Sequence, residues 1–111
     1  MSDAIKLPYG NTKHISVVQN NADKLVINLT SLGNHQYPRL FIVETAVWNT
    51  SDSVKGALGL VKVAGPTECG AAILANPDGI VTSASIDGDT KLLTVNLSAS
   101  RSYCRLTVFD C

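Results

Sequence analysis

The chain reads as an all-β domain: a two-sheet antiparallel β-sandwich of about eight strands, with jelly-roll wiring among the connectivities open to it. Three observations give this class. Apolar residues recur with period two, as in Leu25, Ile27 and Leu29, and again in Leu93, Val95 and Leu97. Turn signals built from Gly, Pro, Asn, Asp and Ser break the chain every 8 to 12 residues or so. The segments between them are rich in β-branched and aromatic residues, which suit a pleated surface better than a helix.

In chain order, residues 1–12 form an extended lead-in, closed by Pro8 and the Tyr9-Gly10-Asn11 turn signal. Alternation then places Ile15 and Val17 on one face and His14, Ser16 and Val18 on the other. Gln19 to Asp23 is a polar turn, and the Leu25–Leu29 alternation follows it, so the two segments predict a hairpin. Ser31 to Pro38 is a loop. Arg39 to Trp48 (RLFIVETAVW) is the longest nearly uninterrupted apolar run and predicts a central strand. It is apolar on both parities: Leu40, Ile42, Ala46 and Trp48 on one, Phe41, Val43 and Val47 on the other. Such a strand is either covered on both sides or offers one face to a partner chain.

Asn49 to Ser53 is a polar loop, and Ala57 to Val63 a further strand in which Gly59 marks a bulge or a close approach. Thr67 to Ala75 reads as a short strand, with a short helix capped by Thr67 as the alternative; Gly70 and Asn76-Pro77 weigh against helix. Asn76-Pro77-Asp78-Gly79 has type I turn chemistry. Ile80–Ile86, the Asp87-Gly88 hairpin signal and Lys91–Ser98 predict a second hairpin. Ser98 to Ser102 then turns the chain, and Tyr103 to Phe109 is the last strand, with Cys104, Leu106 and Val108 inward.

The 111 residues form a single domain, spanning 1–111, large enough for a modest core. Nine Lys and Arg balance nine Asp and Glu. A neutral surface argues against nucleic-acid binding, which needs excess cation to displace counterions, and it leaves association unopposed by charge. No stretch reaches the roughly 20 apolar residues of a membrane-spanning helix, and the first residues lack the features of a signal peptide. The expectation is synthesis in a cytoplasm without membrane insertion.

Few constellations carry chemistry. Cys69, Cys104 and Cys111 are an odd set, which favours thiols; an intrachain bridge, or an intermolecular one through Cys111, is the alternative. No CxxC spacing suggests zinc. Cys69 with His35 lacks a third orienting group for nucleophilic catalysis. Asp87-Gly88-Asp89 with Asp78 lacks the continuing ligands of a calcium loop. No catalytic residue, cofactor site or metal site is assigned.

Asn-X-Ser/Thr triplets at Asn28, Asn49 and Asn96 read as outward strand and loop positions. His35, Tyr37, Trp48 and Asn49 are the candidate contacts for a ligand or host surface, since aromatic rings near strand ends stack on sugars and anchor interfaces. Phe41, Val43, Glu44 and Val47 are the candidate subunit contacts. Glu44, within the apolar run, needs either a partner, with Arg39, Lys62 and Arg105 as candidates, or a place at a channel or subunit boundary.

The sequence PDGIVTSASIDGDTKLLTVNLSAS followed by RSYCRLTVFDC, Pro77 to Cys111, resembles the C-terminal strands of small β-domains on phage head and tail fibres. The shared features are the turn, the Asp-Gly hairpin and alternating Thr, Val and Leu. The resemblance implies a homo-oligomeric virion appendage or decoration domain, a trimer by preference, that touches other virion proteins and displays loops to a host surface. It carries over no functional residue. A small carbohydrate-binding or adhesion module is the alternative function, with a host-surface glycan as ligand. A β-sandwich hydrolase has the least support.

Overall fold

The computed structural model describes residues 13–32, 38–46, 54–65 and 67–110. Among them lie six strands: β1 (Lys13–Asn28), β2 (Arg39–Ala46), β3 (Lys55–Val63), β4 (Cys69–Ala75), β5 (Val81–Asp87) and β6 (Leu92–Asp110). One 3₁₀ turn, Thr30–Leu32, follows β1. Every ladder is antiparallel. The strands make one sheet in the order β1-β6-β2-β3-β4, with β5 added to the first part of β6. The all-β antiparallel expectation therefore holds, and Thr67–Ala75 supplies a strand, as preferred.

The strand count falls from about eight to six because two segments read as turns are bends inside strands. Gln19–Asp23 does not close a hairpin but continues β1, a strand of 16 residues. Ser98–Ser102 likewise continues β6, which runs for 19. The two bends coincide. Register runs from Lys13↔Asp110 to Ala22↔Arg101 and resumes at Lys24↔Asn96, so Asp23 faces the stretch from Leu97 to Ser100 across an enlarged bulge. Asn21 turns the corner at φ 53°, a left-handed conformation that its short polar side chain tolerates. Bulges sharpen the local bend and twist. Ser98, Ala99 and Ser100 are exposed there, which is why the stretch has the composition of a loop.

The corner divides the sheet into two sections. On one side β1 and β6 continue into β2, β3 and β4; on the other, Lys24–Asn28 and Leu92–Asn96 carry β5. Their inner faces share one core. Leu25, Ile27, Leu93, Val95 and Val81 from the second section cluster with Phe41, Val43, Val61, Leu106 and Val108 from the first. Leu29 and Leu32, around the 3₁₀ turn, join the same cluster. Arg39 is also inward and only 2% exposed; its Nε donates to Asp110 Oδ1 at 3.1 Å and its Nη2 to Leu32 O at 3.0 Å. A buried guanidinium is tolerable here because a carboxylate and a carbonyl both accept from it.

The turns are placed as expected but built differently in part. In Asn76–Gly79 the Gly79 N–H donates to Asn76 O, and Gly79 supplies φ 64°. The Asn76 side chain also bridges to Val81, with Nδ2 donating to its carbonyl at 2.8 Å. This turn joins β4 to β5 without a ladder between them, since β5 pairs with β6. The β5–β6 hairpin closes at Asp87↔Leu92 around Gly88–Lys91, and the positive φ falls on Lys91 (60°) rather than on Gly88. Asp87 organises the loop, accepting the Asp89 N–H at Oδ1 (2.9 Å) and the Lys91 N–H at its carbonyl (2.7 Å).

Candidate functional site

β2 decides which parity of the apolar run faces the core. Phe41 lies between Gly59 and Val108, and Val43 between Ala57 and Leu106; both are completely buried. The subunit contact expected of Phe41 and Val43 is corrected by that placement: both side chains are completely buried in the core cluster they share with Leu25, Leu93 and Val95, which leaves a partner nothing to touch. Leu40, Ile42, Glu44 and Ala46 point the other way and are half-buried. Val47 lies outside the described residues, as do His35, Tyr37, Trp48, Asn49 and Cys111.

Register extends the outward parity into rows across the sheet. Leu40 sits between Phe109 and Leu60, and Leu60 is opposite Ala72. Ile42 sits between Thr107 and Leu58. Phe109 is fully buried yet stands outside the main core cluster, and the His14 ring lies 5.9 Å from its own at a tilt. Toward the sheet margins the cover thins: Leu74 is 54% exposed and Val18 46%. A shallow groove of about 410 Å³ runs along Ile42, Leu58, Ala75 and Pro77, and the Gly56 N–H donates to Asp78 Oδ2 at 3.4 Å beside it.

Within these rows the charge is confined to one cross-strand pair. Glu44 is opposite Arg105, the third of its three candidate partners. Arg105 Nη2 donates to both carboxylate oxygens at 2.8 Å, and Nε to Oε1 at 2.9 Å. The pair is a little over one-third exposed, so solvent screens it and its contribution to stability is small, about 1 kcal/mol or less. Its geometric effect is larger. A forked contact holds both charges flat against the sheet, so the surface around them is apolar with no net charge. At the margin, Lys62 and Glu68 form a looser pair at 3.7 Å beside a hollow of about 450 Å³ that also touches Pro38, Leu60 and Cys69.

The thiols are apart. Cys69 is half-buried on β4, its Sγ donating to Ile86 O at 3.9 Å, while Cys104 is wholly buried on β6, its Sγ 3.5 Å from Ala22 O at the corner. No bridge joins them. Burial pushes the Cys104 thiol up, against smaller opposing effects from the Ala22 backbone contact and the Arg101 charge. Among the described residues no group of three or more His, Cys, Asp or Glu side chains is placed to hold a metal ion.

Sequence reasoning singled out β2 and missed the neighbours that widen its outer face: Leu58, Leu60, Ala72 and Leu74. The signal was present, since Ala57–Val63 is apolar on both parities too. Comparison with known proteins returns no family model, no curated protein and no solved structure that matches the chain.

Proposed function

We propose that the chain is a non-enzymatic structural module that self-associates through its sheet surfaces, as a building block of a virus-particle appendage or decoration of the kind its last third resembles. One observation carries this reading. The outward parity of β2 and β3 presents Leu40, Ile42, Leu58 and Leu60, each partly buried and outside the core cluster, with the Glu44–Arg105 pair neutralised among them and the exposed Leu74 and Val18 at the margins. Apolar side chains gathered on one sheet face outside the core mark interfaces. The balanced charge of the chain favours association in the same direction. In the same reading the folded sheet is a two-layer sandwich, its layers joined at the corner where β1 and β6 bend.

The test is the mass of the protein in solution as a function of concentration, by sedimentation equilibrium, with Ile42→Lys and Leu58→Glu alongside. Each substitution places a charge on the outer face and leaves the inner core untouched. Association of the parent chain, weakened by these variants at unchanged circular dichroism, is the expected result. A chain that stays monomeric into the high micromolar range refutes the reading.

A further inference from the structure

Among the described residues β1 is an edge strand along its whole length. It ends the order β1-β6-β2-β3-β4, and beyond the corner it is again terminal, with β6 between it and β5. The other strands with a ladder on one side only are β4 and β5. Those two lie alongside each other, linked by the Asn76–Gly79 turn and by Cys69 Sγ at 3.9 Å from Ile86 O. Among the described residues β1 is therefore the one long edge with no strand beside it.

Edges of this length are normally blunted by charge, proline or a bulge. The later part of β1 has such devices: Asn21 in the left-handed region, the bulge between Ala22 and Lys24, and the charges of Asp23 and Lys24. His14 to Asn20, sequence HISVVQN, has none. It contains no Lys, Arg, Asp, Glu, Pro or Gly, and keeps an unbroken register with β6. Ser16, Val18, Gln19 and Asn20 are exposed, and the inward Ile15 and Val17 are only half-buried, because the core ends at this strand.

We propose that His14–Asn20 is a strand-pairing edge whose occupant is the same segment of a second copy, antiparallel across a two-fold axis, so that the two sheets run into one. This deepens the assembly reading above and rests on it. A single long edge among the described residues selects the isologous arrangement, since head-to-tail pairing needs a second, different edge. The segment is also self-complementary. An axis through Val17 sets Ser16 opposite Val18 of the second copy, Ile15 opposite Gln19, and His14 opposite Asn20, with no like charges facing. The pairing completes the cover over Ile15 and Val17 and gives the outward backbone groups of residues 15–20 a ladder. It builds an even number of copies, not the three that the fibre resemblance implies.

The test uses the full chain and two double variants at exposed positions, Ser16→Lys/Val18→Lys and Ser16→Glu/Val18→Glu. In the proposed register each puts like charges opposite one another twice over, so self-association of either weakens on the order of ten-fold. An equimolar mixture restores it. Amide exchange of His14–Asn20 slows only at concentrations where the parent chain is paired. If the parent associates and both variants associate equally well, edge pairing is overturned while the assembly reading stands. If the parent is monomeric, both fall. Slow exchange at His14–Asn20 in the monomer would assign the edge to a segment of its own chain, such as residues 1–12, and overturn the proposal. Concentration-independent binding of an added extended peptide, with no self-pairing, would overturn it as well.

Discussion

Gly59→Ala tests the tightest packing in the sheet. Gly59 lies on β3 directly opposite Phe41, with its own backbone between β2 and β4. A Cβ built there falls 2.6 Å from Phe41 Cε2 and 2.6 Å from Ala72 O, and closer still to Phe41 Cζ. Carbon contacts settle near 3.5–4.0 Å, so the overlap is about 1 Å against two neighbours at once. Neither yields readily. The Phe41 ring is completely buried, and Ala72 O belongs to the backbone of a strand paired with β3. Overpacking a dense core costs about 1–3 kcal/mol. The backbone gain from replacing glycine in a strand offsets roughly 0.5–1 kcal/mol of that. Two simultaneous clashes put the net loss near 2 kcal/mol, a large share of a total stability of about 5–15 kcal/mol. Urea denaturation reads this as a midpoint lower by about 1 M, given m near 1–3 kcal/mol/M. Phe41→Leu removes the ring atoms concerned, so in the double variant the alanine costs less than it does alone, with a coupling of about 0.5 kcal/mol or more. A Gly59→Ala protein within about 0.5 kcal/mol of the parent, or strictly additive costs, would refute the argument.

Three further outcomes follow from the same packing. Arg39→Ala leaves Asp110 and the Leu32 carbonyl without the cation buried between them, and lowers stability by about 3–5 kcal/mol in chemical denaturation; Arg39→Lys recovers less than half, because a single ammonium does not reproduce the guanidinium fork. Lys91→Gly relieves a left-handed residue in the β5–β6 loop and raises the urea midpoint, by about 0.5–1 kcal/mol in stability. The raised Cys104 thiol binds its proton more tightly folded than unfolded, so its contribution to stability is full below the unfolded thiol pKa of about 8.5 and declines as the pH rises through the higher folded value. Cys104→Ala flattens that alkaline decline in pH-dependent denaturation, and in the native parent chain iodoacetamide labels the half-buried Cys69 before Cys104.

The class, the turn positions around Asn76–Gly79 and Asp87–Lys91, and the alternation within each strand are legible in the chain alone, because period two and turn chemistry are local properties. The sequence also marked Gly59 as a bulge or a close approach and put Arg105 among the partners open to Glu44. It could not tell a bend from a turn. Gln19–Asp23 and Ser98–Ser102 are polar in either case, and only the long-range ladder between β1 and β6 supplies the backbone hydrogen bonds that keep both strands continuous through the corner. Nor could it choose the buried parity of β2. Both faces of Arg39–Ala46 are apolar, and in the fold Phe41 and Val43 join the one core cluster with residues from beyond the corner, leaving Leu40, Ile42 and Glu44 as the outer face. The edge at His14–Asn20 was invisible for the same reason: whether a strand lies at the margin of a sheet depends on what its neighbours pair with, and those pairings join residues far apart in the chain.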